Sequence, residues 1–171
     1  MKLATERLTL IPMTGNDLDH FHGTNINPFV RKFLWDNEEI PESTSKEIII
    51  EIEKKFEEQQ WGIWKIIKTN SKEYLGYVGF WFFFDEKLPQ LLYALLPEYT
   101  KKGYVTEAAI EIINYAFKTL NFEYLIATMD KPNLDSVGVC KRLNMEFLEA
   151  KGIDAKPTLF YKLKNNLNPN D

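Results

Sequence analysis

Apolar residues change period several times along the chain, and each change marks an element. In "ERLTLIPM", Leu8 and Leu10 alternate with polar neighbours, which predicts a short strand with both leucines on one face. Thr14, Gly15 and Asn16 supply turn and cap chemistry ahead of a helical stretch. A second helix is predicted from near Pro28, with Phe29, Phe33 and Leu34 as its apolar side. Thr44 and Glu47 have capping-box spacing before "IIIEIEKKF", where Ile48, Ile49, Ile52 and Phe56 line one helical face.

The middle of the chain switches to aromatic and β-branched runs. "WGIWKIIK" and "YLGYVGFWFFF", joined by a polar turn over 69–73, predict a hairpin, and "QLLYALL" a third antiparallel strand. Helical period returns in "YVTEAAIEIINYAF", where Ala108, Ala109, Ile112, Ala116 and Phe117 form a stripe of small and apolar residues. A strand in "FEYLIATM", a helix in "NLDSVGVCKRL", strands in "NMEFLEA" and "TLFYKL", and a frayed polar tail over 164–171 complete the order. This order predicts an α+β layout: a mixed, mostly antiparallel central sheet of six to seven strands flanked by helices. The strands on either side of the long helix are expected to be parallel neighbours.

Composition narrows the function classes. With 171 residues, 44% of them hydrophobic, the chain can bury one good core, and no repeat or linker divides it; residues 1–171 read as a single domain. One cysteine excludes a disulfide framework, and two histidines leave no expected metal centre. A net charge of −4 argues against a nucleic-acid surface. The N-terminal "MKLATERLTL" lacks the long apolar run of a signal peptide or membrane span, so the expected location is cytoplasmic, with no membrane partner.

Two junctions carry candidate chemistry. In "LPEYTKKGYVTEAA" a strand ends, two lysines and a glycine follow, and the long helix begins. The first turn of a helix has amide N–H groups without internal partners and a partial positive charge, which suits a phosphate. A lysine-rich surface turn before an ordinary amphipathic helix would have the same residues. The motif is neither a Walker A loop nor a dinucleotide fingerprint. In "MDKPNLDSVGVCKRLNMEF", Asn133 stands at an N-cap position and Asn144 where a left-handed C-cap residue is needed.

Together, "LYALLPEYTKKGYVTEAAIEIINYAF" and "IATMDKPNLDSVGVCKRLNMEF" resemble the acyl-CoA-binding core of the GNAT superfamily of N-acetyltransferases, most closely its RimJ/RimL-like branch. "TERLTLIPM", "FLWD" and "YLGYVGFW" resemble the first strand, an early helical segment and the central hairpin strand of that branch, so almost the whole chain is covered. The resemblance implies acetyl-CoA as co-substrate, no metal, and a splayed parallel strand pair at the cofactor site. It also implies a primary amine acceptor, either a small molecule or a peptide or protein N-terminus, and a monomer or homodimer.

The family pattern Arg/Gln-x-x-Gly-x-Gly/Ala falls on Thr100, Lys101, Lys102, Gly103, Tyr104 and Val105, whose amides, with Thr106, would hold the pyrophosphate. Thr100 and Val105 depart from the pattern. The strand 91–96 resembles one that bulges away from its neighbour to admit the pantetheine arm, making Leu95 and Leu96 candidate contacts, with an oxyanion donor near Ala94 or Leu95. Asn133 matches a pantetheine-contacting asparagine, a role compatible with its N-cap. Gln90 stands where the branch often has a glutamate, and could orient water but accept no proton. Cys140 stands where many members have a tyrosine acid, and reads either as a proton donor or as a buried filler. Ser136 is the other donor candidate. Trp35, Trp81 and Tyr93 are candidates for the acceptor site. Gln90 and Cys140 also motivate a second expectation, a coenzyme A-binding sensor or interaction module with weak catalysis.

Overall fold

The computed structural model describes residues 1–153 and 156–166. Strands β1 (Leu3–Ala4) and β2 (Leu8–Pro12) are followed by helices α1 (Leu18–Ile26), α2 (Pro28–Leu34) and α3 (Glu42–Gln59). Then come β3 (Ile63–Lys68), β4 (Tyr74–Trp81), β5 (Gln90–Leu95), α4 (Tyr104–Lys118), β6 (Tyr124–Asp130), α5 (Leu134–Arg142), β7 (Glu146–Ile153) and β8 (Lys156–Lys164). Strands β1 to β5 form one antiparallel sheet in chain order, and β6, β8 and β7 form a second.

Leu8 and Leu10 are fully buried, as the alternation in "ERLTL" requires. They join Trp64, Val78, Phe80 and Leu125 in a core with the α4 stripe of Ala108, Ala109 and Ile112. The opposite side of the first sheet packs Tyr77, Ile63 and Ala94 against Phe21, Val30, Ile49 and Ile52 of α1 to α3. Buried Asn25 links that layer. Its Oδ1 accepts from the Tyr77 hydroxyl at 2.8 Å and Trp35 Nε1 at 2.7 Å, while Nδ2 donates to Phe21 O. This bonded network fixes α2 relative to β4.

Several local expectations change. Helix α3 begins at Glu42 behind Pro41, with no side-chain cap, so Thr44 lies within its first turn and the predicted capping box is absent. On α2 the buried residue is Val30, while Phe29 is 46% exposed, because the helix turns Phe29 and Phe33 toward a cleft. The tail starts later than 164: Lys164 closes β8, and buried Asn165 donates to Phe117 O and Phe122 O. Residues 167–171 lie outside the described residues. Asn144 does adopt the left-handed conformation, with φ 56°, after α5.

Candidate active site

Strands β5 and β6, joined through α4, adjoin without a ladder among the described residues: β5 ends one sheet and β6 begins the other. A cleft of about 840 Å³ opens along this seam. Gln90 ties its edge. The Gln90 Oε1 accepts from the Thr128 hydroxyl and Nε2 donates to Phe83 O, both at 2.8 Å.

At one end of the cleft the chain enters α4. Lys101 (φ 59°) and Gly103 (φ 80°) both take left-handed conformations, the backbone pattern in which successive N–H groups can form an anion-binding concavity. Tyr99 and Thr100 spend their N–H groups in the short turn over 97–99, on Leu96 O and Pro97 O. From Lys101 to Thr106, no N–H group has a partner among the described residues; the first α4 bond is Glu107 N–H to Gly103 O. The positive φ of Gly103 favours glycine, and among protein atoms a Cβ there would meet only Arg7 Nη2, at an ordinary 3.5 Å.

Arg7 buttresses the loop from behind. It donates from Nη1 to Lys102 O at 3.2 Å and from Nε to Glu107 Oε2 at 2.6 Å, and lies 4.6 Å from the Tyr104 ring centroid. Glu107 also accepts from the Thr5 hydroxyl and the Arg7 amide. Desolvation pushes its carboxyl up, but these hydrogen bonds and the guanidinium outweigh that and hold it below the ordinary carboxylate range.

Thr100, Lys101, Gly103, Tyr104, Val105 and Thr106 line the cleft. Lys102 does not: its Nζ turns back to Glu98 O at 2.8 Å and its carbonyl serves Arg7. Leu95 lines the cleft and Leu96 does not, because the Leu96 N–H is bonded to Leu75 O. Backbone alternation then turns the N–H groups of Tyr93 and Leu95, not that of Ala94, toward β6. The expected bulge in β5 is absent, since its register with β4 runs unbroken from Gly76↔Leu95 to Trp81↔Gln90. The shift lies instead between β3 and β4, near Gly76 (φ 142°), where a Cβ would strike Ala94 O.

Across the cleft, Asn133 caps α5 by accepting from Ser136 N–H at 3.2 Å, leaving its amide N–H groups without a partner among the described residues. Ser136 lines the cleft, and its hydroxyl is likewise unbonded. The Tyr93 hydroxyl donates to Ser136 O at 3.4 Å, and burial holds the phenol well above its ordinary pKa, hence neutral. Arg142, which the sequence reading missed, lines the same wall and donates to the Thr106 hydroxyl at 3.2 Å. Its only sequence signal was a basic residue in the last turn of α5.

Besides Lys102 and Leu96, four candidates leave the site. Cys140 is fully buried in the core, and burial pushes its thiol up to about 12. Gln90 is fully buried with acceptor and donor both engaged, so it orients no water in the cleft. Trp35 points its Nε1 into the Asn25 network, and its neighbour Asp36 lines the cleft. Trp81 ends β4 beneath Lys55, whose Nζ lies 5.2 Å from its ring. Among the described residues no group of His, Cys, Asp or Glu could hold a metal, and no helix is long and apolar enough to cross a membrane.

Residues 7–146 match the family model described as "Acetyltransferase (GNAT) domain". The chain is 35% identical over 71 residues to an uncharacterized N-acetyltransferase, YnaD of Bacillus subtilis (strain 168); the match spans 42% of each chain, less than half the length of that relative. An acetyltransferase structure from Agrobacterium tumefaciens str. C58 superposes with a TM-score of 0.82 at 22% identity, covering 95% of this chain and 94% of the other. RimL, a ribosomal L7/L12 alpha-N-protein acetyltransferase in complex with coenzyme A, gives 0.78 at 12% identity, covering 98% and 100%. At these identities the superpositions establish the fold.

Proposed function

Because the chain belongs to the GNAT acetyltransferase family, we propose that it transfers the acetyl group of acetyl-CoA to a primary amine by direct attack in the β5–β6 cleft. The observation that carries this reading is the N–H array from Lys101 to Thr106, unpartnered among the described residues, opening into a seam where they form no ladder. Such an array beside Lys101 and Arg142 fits a diphosphate. Bound there, acetyl-CoA supplies an activated thioester.

The chain's own residues then divide the work. The amides of 101–106 hold the diphosphate, and Asn133 offers its free amide hydrogens to the pantetheine arm. The gap-facing N–H groups of Tyr93 and Leu95 pair with the arm or polarise the acetyl carbonyl. The Ser136 hydroxyl, and the Tyr93 hydroxyl beside the Ser136 carbonyl, are the groups able to return a proton to the departing thiolate. The acceptor is a small amine or a peptide or protein N-terminus, and the RimJ/RimL-like branch is the reading we favour, supported by the likeness to the RimL fold. The domain acts as a monomer or homodimer in the cytoplasm.

Removal of both Gln90 and Cys140 from the cleft favours the second reading, a coenzyme A-binding module with weak catalysis. Thermal melting with coenzyme A, followed by thiol release from acetyl-CoA across an amine panel, tests both. A ligand at a hundredfold its Kd that binds only the folded chain adds about 2.7 kcal/mol. No rise in Tm refutes the cradle; a rise without thiol release on any amine selects the module.

A further inference from the structure

The cleft has two chemically different halves. In β5 and β6, Leu91, Leu95, Leu125, Ala127 and Met129 belong to the core shared with α4 and α5, whereas Ala94 and Leu92 pack toward α1–α3. The strand period therefore turns Thr128 and Asp130 away from α4 and α5, to the side where α2 stands. The α4 side carries the N–H array. The α2 side carries rings: Phe29, Phe33 and Phe84 line the cleft, and Phe29 and Phe84 are each 46% exposed. Large apolar side chains left open together around a concavity mark a surface that a ligand covers.

Charge on this side is sparse and specifically placed. Asp36 is bridged to Lys156, joining the loop after α2 to β8. Asp130, which also lines the cleft, accepts no side-chain hydrogen bond and forms no ion pair among the described residues. Burial raises its pKa; Lys156 opposes that shift and Asp36 adds to it. Among the described residues, this half-cleft thus offers one carboxylate outside any ion pair, with Lys156 on its rim bridged to Asp36, and aromatic surface for whatever a bound cation is attached to. A second ammonium, as in a polyamine, would meet rings and the already bridged Asp36.

We propose that this half of the cleft selects primary amines borne on an apolar, ring-sized group, with Asp130 holding the incoming ammonium and Phe29 and Phe33 the ring. The ammonium gives up one proton to bulk water before its nitrogen attacks the thioester. The inference rests on the acetyl-transfer reading and deepens it. The same chemistry occurs in a free arylalkylamine and in a chain terminus beginning with phenylalanine.

The test is thiol release from acetyl-CoA with 2-phenylethylamine, ethanolamine, spermidine, and two short peptides differing only in an N-terminal Phe or Ser. Burying a ring predicts kcat/KM at least about tenfold higher for phenylethylamine than for ethanolamine or spermidine. The Phe peptide should exceed the Ser peptide by a similar factor. Whichever Phe-like acceptor is faster, free amine or peptide, identifies the source. Asp130→Asn should raise KM for every amine about tenfold, with kcat changed less and coenzyme A affinity unaltered. Phe29→Ala, a change at an exposed position, should erase the ring preference alone. Equal use of ethanolamine or spermidine, or an unchanged KM in Asp130→Asn together with an unchanged preference in Phe29→Ala, overturns the inference while leaving acetyl transfer standing. Silence with every amine, despite coenzyme A binding, overturns the transferase reading and this inference with it.

Discussion

Replacing Gly103 separates backbone conformation from side-chain bulk in the cradle. The residue sits at φ 80°, ψ 0°, and an added Cβ has room, with Arg7 Nη2 at 3.5 Å. A Cβ by itself therefore clashes with no protein atom at this position. The conformational argument predicts a penalty, because an L-residue in the left-handed region costs roughly 1–2 kcal/mol, more for a β-branched side chain. If the free loop relaxes out of that region, ligand binding must restore it, and affinity falls by up to about 5- to 30-fold. Asparagine tolerates the left-handed region, so Gly103→Asn should stay close to wild type. The stiffer unfolded chain recovers about 0.4–1 kcal/mol, so Gly103→Val should lower Tm by only a few degrees. Calorimetric titration of the three proteins with coenzyme A, beside thermal melts, reads both quantities. Equal affinity for the Val and Asn variants, or full affinity in the Val variant, would refute the claim that left-handed backbone geometry orients the N–H array.

Other outcomes follow from the contacts of single residues. Glu107 has a folded pKa below its unfolded one, so its stabilisation is complete above the unfolded carboxylate range and lost as pH falls through the folded value. Glu107→Ala should therefore cost about 2 kcal/mol at pH 7 and flatten the acid limb of a Tm-against-pH curve; an unchanged limb contradicts this. Cys140→Ala should lose stability of about 1 kcal/mol or more and leave kcat within twofold, whereas loss of turnover in a folded variant would restore the thiol as acid. Gln90→Glu should destabilise by roughly 1–3 kcal/mol and give no rate gain, because a carboxylate there would face Phe83 O; a faster enzyme sinks that argument. Ser136→Ala combined with Tyr93→Phe should lower kcat about 10²-fold with coenzyme A affinity little changed, and an unaffected kcat would assign proton delivery to water.

Periodicity and turn chemistry were legible where the physics is local. Leu8 and Leu10 share a buried face because alternate strand residues must. Ala108, Ala109 and Ile112 stack because 3.6 residues make a turn, and Asn144 takes φ 56° because a helix end needs a residue that tolerates it. Exposure of the α4 amides follows in the same way, since the first turn of any helix lacks acceptors. The capping box at Thr44 failed on local grounds too: behind Pro41 the helix begins at Glu42, two residues before Thr44.

Whether a polar or reactive side chain reaches the cleft was decided by partners far along the chain. Gln90 and Thr128 are 38 positions apart, Tyr93 and Ser136 43, Arg142 and Thr106 36, and no periodicity links them. Trp35 turns inward because Asn25 offers a buried acceptor, and Phe29 faces the cleft because Val30 takes the core-facing position on α2. The chain alone determined which segments become helix and strand, because backbone geometry repeats within a few residues. Tertiary packing decided which face each functional group presents, because desolvation and hydrogen-bond satisfaction depend on atoms brought together only when the two sheets and their helices close.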